Sequence, residues 1–189
     1  IVIDLGGGVT DVSLFRDGAL AAAASLPVGS MSVTQDVAQL LKTSLDEAER
    51  LKLSHGNAYP ADVSESVTAE VQQLGQPVPR PMQGRVLAEI IESRVREIAR
   101  LAKQAVENGR PGSVAGVPVV LTGNGARLPG VDRVVAITFG DSSVRTMIAT
   151  KGTAAISGLA AYISQTADEI APSEASASWK DKFKNLLNL

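Results

Sequence analysis

The first fifteen residues constrain the fold most, because they place three consecutive glycines between two strand-like runs. The run 1–5 is apolar and β-rich, Gly6, Gly7 and Gly8 follow, and residues 11–15 then alternate polar and apolar side chains. Both flanks predict strands, and the glycines predict the turn of a hairpin. Glycine can adopt positive φ and bring backbone N–H groups to an anion, so this hairpin is a candidate phosphate cradle.

Two other glycine-rich phosphate motifs do not fit this stretch. A dinucleotide-binding fingerprint requires a helix after its glycines, and a Walker loop requires a Gly-Lys-Ser/Thr that is absent here. A tight turn or bulge without any ligand remains an open alternative for the same residues.

The composition narrows the class of protein. With 189 residues and 44% hydrophobic side chains, the chain can bury one core or two small ones. The net charge of −2 gives no basic field for nucleic acid, and the absence of cysteine excludes disulfides and thiolate metal sites. No apolar run reaches the length of a membrane span. Because the chain starts without Met inside a strand-like run, we expect a C-terminal part of a longer polypeptide.

The remaining pattern predicts alternating strands and helices. A third strand over 19–28 is followed by a helix whose capping box is Ser32 and Gln35, and by a second helix that Ser44 caps and His55 ends. Further elements are expected as follows: short strand-like segments over 59–74, a loop or edge strand over 76–81, a long amphipathic helix over 82–108, a central strand over 117–122, a short helix entered at 128–131, a strand at 143–145 and a small-residue helix over 153–163.

Two further stretches contain candidate binding residues. Glycines in the loop Gly123-Asn124-Gly125, directly after a strand, would let a flat base or sugar lie against the backbone, although a plain strand-to-helix turn also explains them. Glu49 and Lys52 are three residues apart, so they project from one side of their helix; a solvated helix face is the ordinary alternative.

The end of the chain has a different character. Residues 164–178 are rich in Ser, Ala and acidic residues without apolar periodicity, which predicts a flexible tether. The following helix would carry one apolar face flanked by lysines, which indicates an interfacial membrane helix; an intramolecular docking face is the alternative. The residues concerned are Trp179, Lys180, Phe183, Lys184, Leu186 and Leu187.

The stretch from Asp4 to Asp11 resembles the second phosphate motif of the actin, Hsp70 and sugar-kinase superfamily. The resemblance implies that this hairpin grips the β- and γ-phosphates of ATP and that Asp4 lies near Mg²⁺ through water. It also implies that the loop after residue 122 is the adenosine motif. In addition, it implies that the side chains of Glu49 and Lys52 reach the ribose and the adenine. The implied cofactor-binding residues are Asp4, Gly6, Gly7, Gly8, Val9, Thr10, Glu49, Lys52, Gly123, Asn124 and Gly125.

The order of the motifs resembles the FtsA family of bacterial cell-division actins in particular. The matching stretches are 3–15, 27–34, 43–58, 119–130 and the tethered terminal helix. The resemblance implies the second half of such a protein, with an α/β, actin-like (ribonuclease H-like) ATPase fold. It divides the chain into a nucleotide-binding subdomain IIA (1–28 and 109–163), an inserted smaller α/β subdomain like IIB (29–108), a linker (164–177) and an amphipathic membrane-targeting helix (178–189).

The function implied by this resemblance is structural. An ATP-binding, filament-forming protein would tether the FtsZ ring to the inner face of the cytoplasmic membrane at the division site, together with other division proteins. The inserted subdomain would dock the FtsZ tail, with Arg94 and Glu97 as candidates. Hydrolysis is unassigned, because the first phosphate motif lies outside this sequence. A sugar kinase, an Hsp70-type chaperone and a shape-determining or pilus-assembly actin are the alternatives; the cationic tail argues against the first two.

Overall fold

The structure, a computed structural model, describes residues 1–109 and 112–148 of the chain. The predicted helix over 153–163, the linker and the terminal amphipathic helix lie outside the described residues. The described strands are β1 (Val2–Leu5), β2 (Thr10–Arg16), β3 (Ala19–Leu26), β4 (Thr68–Val71), β5 (Arg80–Gln83), β6 (Val119–Thr122) and β7 (Val144–Thr146). The described helices are α1 (Ser30–Leu41), α2 (Leu45–His55), α3 (Gly84–Gly109) and α4 (Val131–Thr138).

Five strands form one mixed sheet in the order β3-β2-β1-β6-β7. The predicted hairpin is confirmed, because β1 and β2 pair antiparallel, as do β2 and β3. β6 pairs parallel with β1 on one side and with β7 on the other. The parallel pairing brings the carboxyl ends of β1 and β6 to the same edge of the sheet, so that the two loops that follow these strands meet there.

The core lies on one face of this sheet. Along β1 and β2 every second side chain is buried, including Ile3, Leu5, Val12 and Leu14, and α3 packs against β2 and β3. The long helix predicted over 82–108 is confirmed as the 26-residue α3. Its apolar stripe is buried because these positions recur every three or four residues; it includes Leu87, Ile91, Val95, Ile98 and Ala102.

An ion pair joins α1 to α3. The Arg94 guanidinium donates from Nε and Nη2 to both carboxylate oxygens of Asp36, at 2.6 and 2.8 Å, and from Nη1 to Glu97 at 2.6 Å. These charges raise the pKa of Arg94 above its ordinary value, with the hydrogen bonds to Asp36 as the main cause. Arg94, which is predicted as a docking candidate, therefore links α3 to α1 through a bidentate ion pair with Asp36.

The start of α1 differs from the prediction. A capping box at Ser32 was expected, but the helix begins at Ser30 with Gly29 as its N-cap residue and without a side-chain cap. Instead, the first two amides of the helix donate hydrogen bonds to the backbone carbonyls of Gly6 and Gly7 in the glycine hairpin. The start of α2 agrees with the prediction, since the Ser44 hydroxyl accepts from the Glu47 amide at 3.2 Å.

The segment from Tyr59 to Leu74 is less strand-like than predicted. Pro60 begins a single 3₁₀ turn that ends at Asp62, and only β4 is a strand, paired antiparallel with β5 in a separate ribbon. Proline has no N–H to donate and favours the first turn of a helix, which explains the difference. Within the part of the chain that the structure describes, no helix combines the length and apolarity needed to span a membrane.

Candidate functional site

The glycine hairpin connects β1 to β2 in a tight turn. The Gly6 amide donates to the Val9 carbonyl at 3.0 Å and closes the turn. None of the three glycines adopts a φ in the left-handed region, so the freedom of glycine at positive φ is not used in this turn.

The hairpin is fastened to the beginning of α1. The amides of Ser30 and Met31 donate to the carbonyls of Gly6 and Gly7, at 2.9 and 2.8 Å. A Cβ on Gly29 would lie 2.5 Å from the Gly7 oxygen, so only glycine fits at this contact. The hairpin therefore serves as the cap of α1 and satisfies its first free donors.

This fastening fixes the direction of the outer amides. In a trans peptide the C=O and the next N–H point in opposite directions, and the described chain has no cis bonds. The Gly7 and Gly8 N–H groups therefore point away from α1. Among the described residues neither finds a protein acceptor, and a Cβ on either glycine would meet open space. Two adjacent, unoccupied donors of this kind can bind an anion.

A pair of carboxylates lies beside the hairpin at the end of β1. Asp4 is the register partner of Asp11 in β2 and of Thr122 in β6. Burial and, secondarily, the charge of Asp11 raise the pKa of Asp4 above its usual range. The Thr122 hydroxyl is buried without a hydrogen-bond partner among the described residues. The Asp4 carboxylate thus lies where a cation would relieve an unfavourable charge.

The residues present fit a magnesium ion only in combination with a ligand. The described residues contain no group of three or more His, Cys, Asp or Glu side chains that could hold a metal. Mg²⁺ usually binds one or two carboxylates and completes its octahedron with waters and phosphates. Asp4 meets that requirement because it is half-buried and lies beside a hairpin whose Gly7 and Gly8 amides have no acceptor among the described residues.

The second glycine loop follows β6 and packs against the end of β1. Gly123 has φ +84°, and a Cβ there would lie 2.4 Å from Asp4 Oδ1; a Cβ on Gly125 would lie 2.5 Å from Leu5 Cγ. Glycine is thus required here for a close approach to β1. As a result, Asn124 and Gly125 lie beside the start of α1 and the inner side of α2, around a shared cavity.

That cavity has a volume of about 420 Å³, within the range of small-molecule sites. Its walls come from α1, α2 and the loop after β6, and the residues are Ser30, Glu49, Lys52, Leu53, Asn124, Gly125, Arg127, Leu128 and Pro129. A larger groove of about 560 Å³ lies between α3 and α4. Neither glycine loop lines that groove, so the smaller cavity is the candidate site.

A buried polar network forms one wall of the cavity. Lys52 Nζ lies 2.7 Å from Glu49 Oε2 and donates to Thr34 Oγ1 at 2.8 Å, and the Thr34 hydroxyl donates to the same Glu49 oxygen at 2.5 Å. Burial opposes ionisation of Glu49, but the hydrogen bonds from Lys52 and Thr34 outweigh it and lower the pKa of Glu49. Glu49 therefore presents a carboxylate to the cavity at neutral pH.

Four of the eleven predicted cofactor-binding residues line the cavity itself. Glu49, Lys52, Asn124 and Gly125 line the cavity, and the hairpin adjoins it through Ser30. The Thr10 hydroxyl is buried and donates to the Val28 carbonyl at 2.7 Å, so its side chain holds the chain before Gly29 in place. The predicted membrane residues from Trp179 to Leu187 lie outside the described residues.

Sequence reasoning missed six residues of this site, namely Ser30, Thr34, Leu53, Arg127, Leu128 and Pro129. Ser30 was missed because the predicted N-cap, Ser32, lies three residues after the observed one, Gly29. Thr34 and Leu53 are ordinary helix positions, and nothing local indicates that Thr34 contacts Glu49 and Lys52 or that Leu53 lines the cavity. Arg127 did have a signal, since it lies only two residues after Gly125; in the structure its Nε donates to Asn124 Oδ1 at 3.3 Å.

The sheet, the hairpin and the second glycine loop together define an actin-like ATPase fold. The crystal structure of MreB 5 of Spiroplasma citri bound to AMPPNP has a TM-score of 0.68 with this chain at 18% identity, over 89% of this chain and 53% of that one. At this identity the likeness shows the fold alone.

The chain belongs to the FtsA family, because the family model described as "Cell division protein FtsA" matches residues 1–178. The cell division protein FtsA of Enterococcus hirae is 36% identical over 140 residues, which cover 74% of this chain and 31% of that protein. FtsA of Bacillus subtilis is 36% identical over 132 residues, covering 69% and 29%. The chain thus spans about three-tenths of the length of these relatives.

Proposed function

We propose that this chain binds ATP with Mg²⁺ and forms the second half of the nucleotide site of an actin-like division protein. The observation that carries the proposal is the direction of the Gly7 and Gly8 amides. They point away from α1, have no acceptor among residues 1–109 and 112–148, and belong to a hairpin that adjoins the cavity through Ser30. The nucleotide in the MreB 5 structure supports the same reading of the fold.

Each part of the site has a distinct task in this proposal. The Gly7 and Gly8 amides bind phosphate oxygens, and Asp4 orients water on Mg²⁺, which neutralises phosphate charge. Glu49 accepts hydrogen bonds from the ribose hydroxyls, because its carboxylate is ionised and faces the cavity. Asn124 and Gly125 form the floor against which the base packs, with Leu53 and Arg127 at its side.

The wider role follows from family membership and from the sequence. We propose that residues 1–28 and 109–163 form the nucleotide subdomain and that 29–108 form the inserted subdomain, which docks the tail of FtsZ. The helix 178–189 attaches the protein to the cytoplasmic face of the membrane, the subunits assemble into filaments, and ATP acts mainly as a conformational clamp. Together these properties tether the division ring to the membrane.

Titration of the full chain with AMPPNP and Mg²⁺, followed by calorimetry, tests the nucleotide site. Gly8→Ala is the sharpest variant, because its Cβ meets no protein atom and so leaves the fold intact. In the proposal the added methyl group crowds a phosphate bound at the Gly8 amide. We expect the affinity to fall about tenfold or more, the worth of a hydrogen bond to a charged group. An unchanged unfolding midpoint is the control. Wild-type affinity in Gly8→Ala would contradict the proposal.

A further inference from the structure

Thr122, the last residue of β6, carries a buried hydroxyl group without a partner. The residue is only 4% exposed, and its Oγ1 atom makes no hydrogen bond to any described residue. Buried side-chain oxygens are normally hydrogen-bonded, because an unsatisfied one loses its contact with water without compensation. The buried hydroxyls of Thr10, Thr34 and Thr43 all donate to acceptors within the protein. The hydroxyl of Thr122 therefore requires a different explanation.

The sheet places this hydroxyl on the same face as Asp4. Thr122 is the register partner of Asp4 in the parallel pair of β6 and β1, and the preceding partners, Ile3 and Leu121, are both buried in the core. Because side chains alternate along a strand, Asp4 and Thr122 project together from the other face. The Asp4 carboxylate also lies close to the end of β6, since a Cβ on Gly123 would lie 2.4 Å from Asp4 Oδ1.

Asp11 adds a second carboxylate to this face. It is the register partner of Asp4 on β2, so two carboxylates and one buried hydroxyl lie on the same face of three neighbouring strands. A water molecule can satisfy such groups when it has two to four polar partners. A water bound to Mg²⁺ suits them well, because it donates two hydrogen bonds, and Asp4 and Thr122 each offer an oxygen that accepts one.

We propose that Thr122 is a positioning residue of the cation site, whose hydroxyl oxygen and the Asp4 carboxylate accept hydrogen bonds from the same water of the Mg²⁺ shell. The inference rests on the proposed ATP site and adds the end of β6 to it. Two acceptors on neighbouring strands orient the water, and the cation that it binds is held more firmly. The unpartnered hydroxyl destabilises the nucleotide-free chain, and the cation offsets this when it binds.

The test measures the AMPPNP affinity of the full chain by calorimetry, once with Mg²⁺ and once with EDTA. The ratio of the two affinities isolates the contribution of the cation. In Thr122→Val, which keeps the shape of the side chain, we expect this ratio to fall about five- to tenfold, while the affinity in EDTA changes less than about twofold. Thr122→Ser, which keeps the hydroxyl, should restore most of the ratio.

A second measurement needs no nucleotide. Thr122→Val should raise the urea unfolding midpoint of the nucleotide-free chain, because it removes a buried hydroxyl that has no partner. Thr43→Val is the matched control, since Thr43 is also 4% exposed but its hydroxyl donates to the Gln72 carbonyl at 2.5 Å. This control should lower the midpoint and leave the Mg²⁺ ratio unchanged. A lower midpoint in Thr122→Val would show that its hydroxyl supports the fold, and would overturn the inference.

The wild-type chain separates the failure of this inference from the failure of the proposed function. If it binds AMPPNP neither with Mg²⁺ nor with EDTA, the ATP site is refuted and the role of Thr122 with it. If it binds AMPPNP and Thr122→Val keeps the full Mg²⁺ ratio, the ATP site stands and only the role of Thr122 is refuted.

Discussion

Asp4 and Asp11 face each other as register partners across β1 and β2, next to the turn of the glycine hairpin. Like charges placed directly opposite in a sheet destabilise it, and burial adds to this at Asp4, whose pKa is raised. An acid with a raised native pKa binds more protons in the native state than in the unfolded state. Its contribution to stability therefore falls as the pH rises from 3.8 through the native pKa.

The first prediction is that Asp4→Asn stabilises the nucleotide-free chain at neutral pH by about 0.2–1 kcal/mol, the range of a cross-strand pair. The same variant should weaken the binding of AMPPNP in the presence of Mg²⁺. Urea unfolding and calorimetry measure the two effects, with the exposed Glu65→Gln as the control. A loss of stability in Asp4→Asn would show that the carboxylate supports the fold rather than the site.

The second prediction concerns acid stability. The Arg50 hydrogen bonds and the Gln72 amide lower the pKa of Glu47 to about 2, although burial acts in the opposite direction. Glu47 therefore stabilises the fold fully above its unfolded pKa of about 4.5, and this stabilisation is lost as the pH falls toward 2. Because Arg50 is half-exposed, water screens the pair, and we expect Glu47→Gln to cost about 1 kcal/mol at pH 7.

Unfolding midpoints measured between pH 7 and pH 2 check this expectation. The difference between the wild-type chain and Glu47→Gln should shrink steadily below pH 4.5 and be smallest at pH 2. Glu89→Gln is a suitable comparison, since Glu89 forms only an exposed pair with Arg85 at 3.5 Å. A constant difference across the whole pH range would contradict the linkage.

The third prediction separates two glycines of the same contact. Gly29→Ala should destabilise the chain by about 1–3 kcal/mol, because its Cβ would lie 2.5 Å from the Gly7 oxygen and neither backbone can move freely. Gly7→Ala, on the other side of this contact, should leave the unfolding midpoint unchanged, since its Cβ meets open space. Equal midpoints for the two variants would show that the hairpin and α1 are not tightly fastened.

The fourth prediction tests the terminal helix of the sequence. The full chain should co-sediment with anionic liposomes, and Trp179→Glu combined with Phe183→Glu should abolish this, because each buried apolar side chain contributes about 1.5–3 kcal/mol. High salt should weaken the binding of the wild-type chain, since it screens the lysines. If the wild-type chain remains in the supernatant at low salt, the apolar face docks on protein instead.

Local sequence signals predicted much of this fold, and their failures have identifiable physical causes. The β1–β2 hairpin, the 26-residue α3 and the Ser44 cap all follow from periodicity or from a cap residue within a few positions. The start of α1 was missed because its cap is supplied by carbonyls more than twenty residues away in the chain. Burial of Lys52 was missed for the same reason, since its partners Ser30 and Thr34 belong to another helix.

Within the candidate site, too, features with a local sequence signal were predicted, whereas features that depend on distant parts of the chain were not. The two glycine loops were recognised from their composition, and the structure shows that they meet because β1 and β6 are parallel neighbours. The reason for glycine differed from the expectation, however. Gly123 and Gly125 make room for the end of β1, and the hairpin glycines are not left-handed. A glycine leaves room for a neighbouring atom because it has no Cβ. The identity of that atom depends on tertiary packing, so the local sequence does not reveal it.

The capping of α1 by Gly6 and Gly7 also has an electrical consequence. The two peptide groups of the hairpin stand in line with the helix, each accepting from an α1 amide at its oxygen and presenting its own N–H on the far side. Their dipoles therefore add to the helix macrodipole. The positive end of the combined dipole then lies at the Gly7 and Gly8 N–H groups, one peptide group beyond the first amides of α1. An anion at Gly7 and Gly8 would meet the field of a twelve-residue helix whose own first amides are already covered.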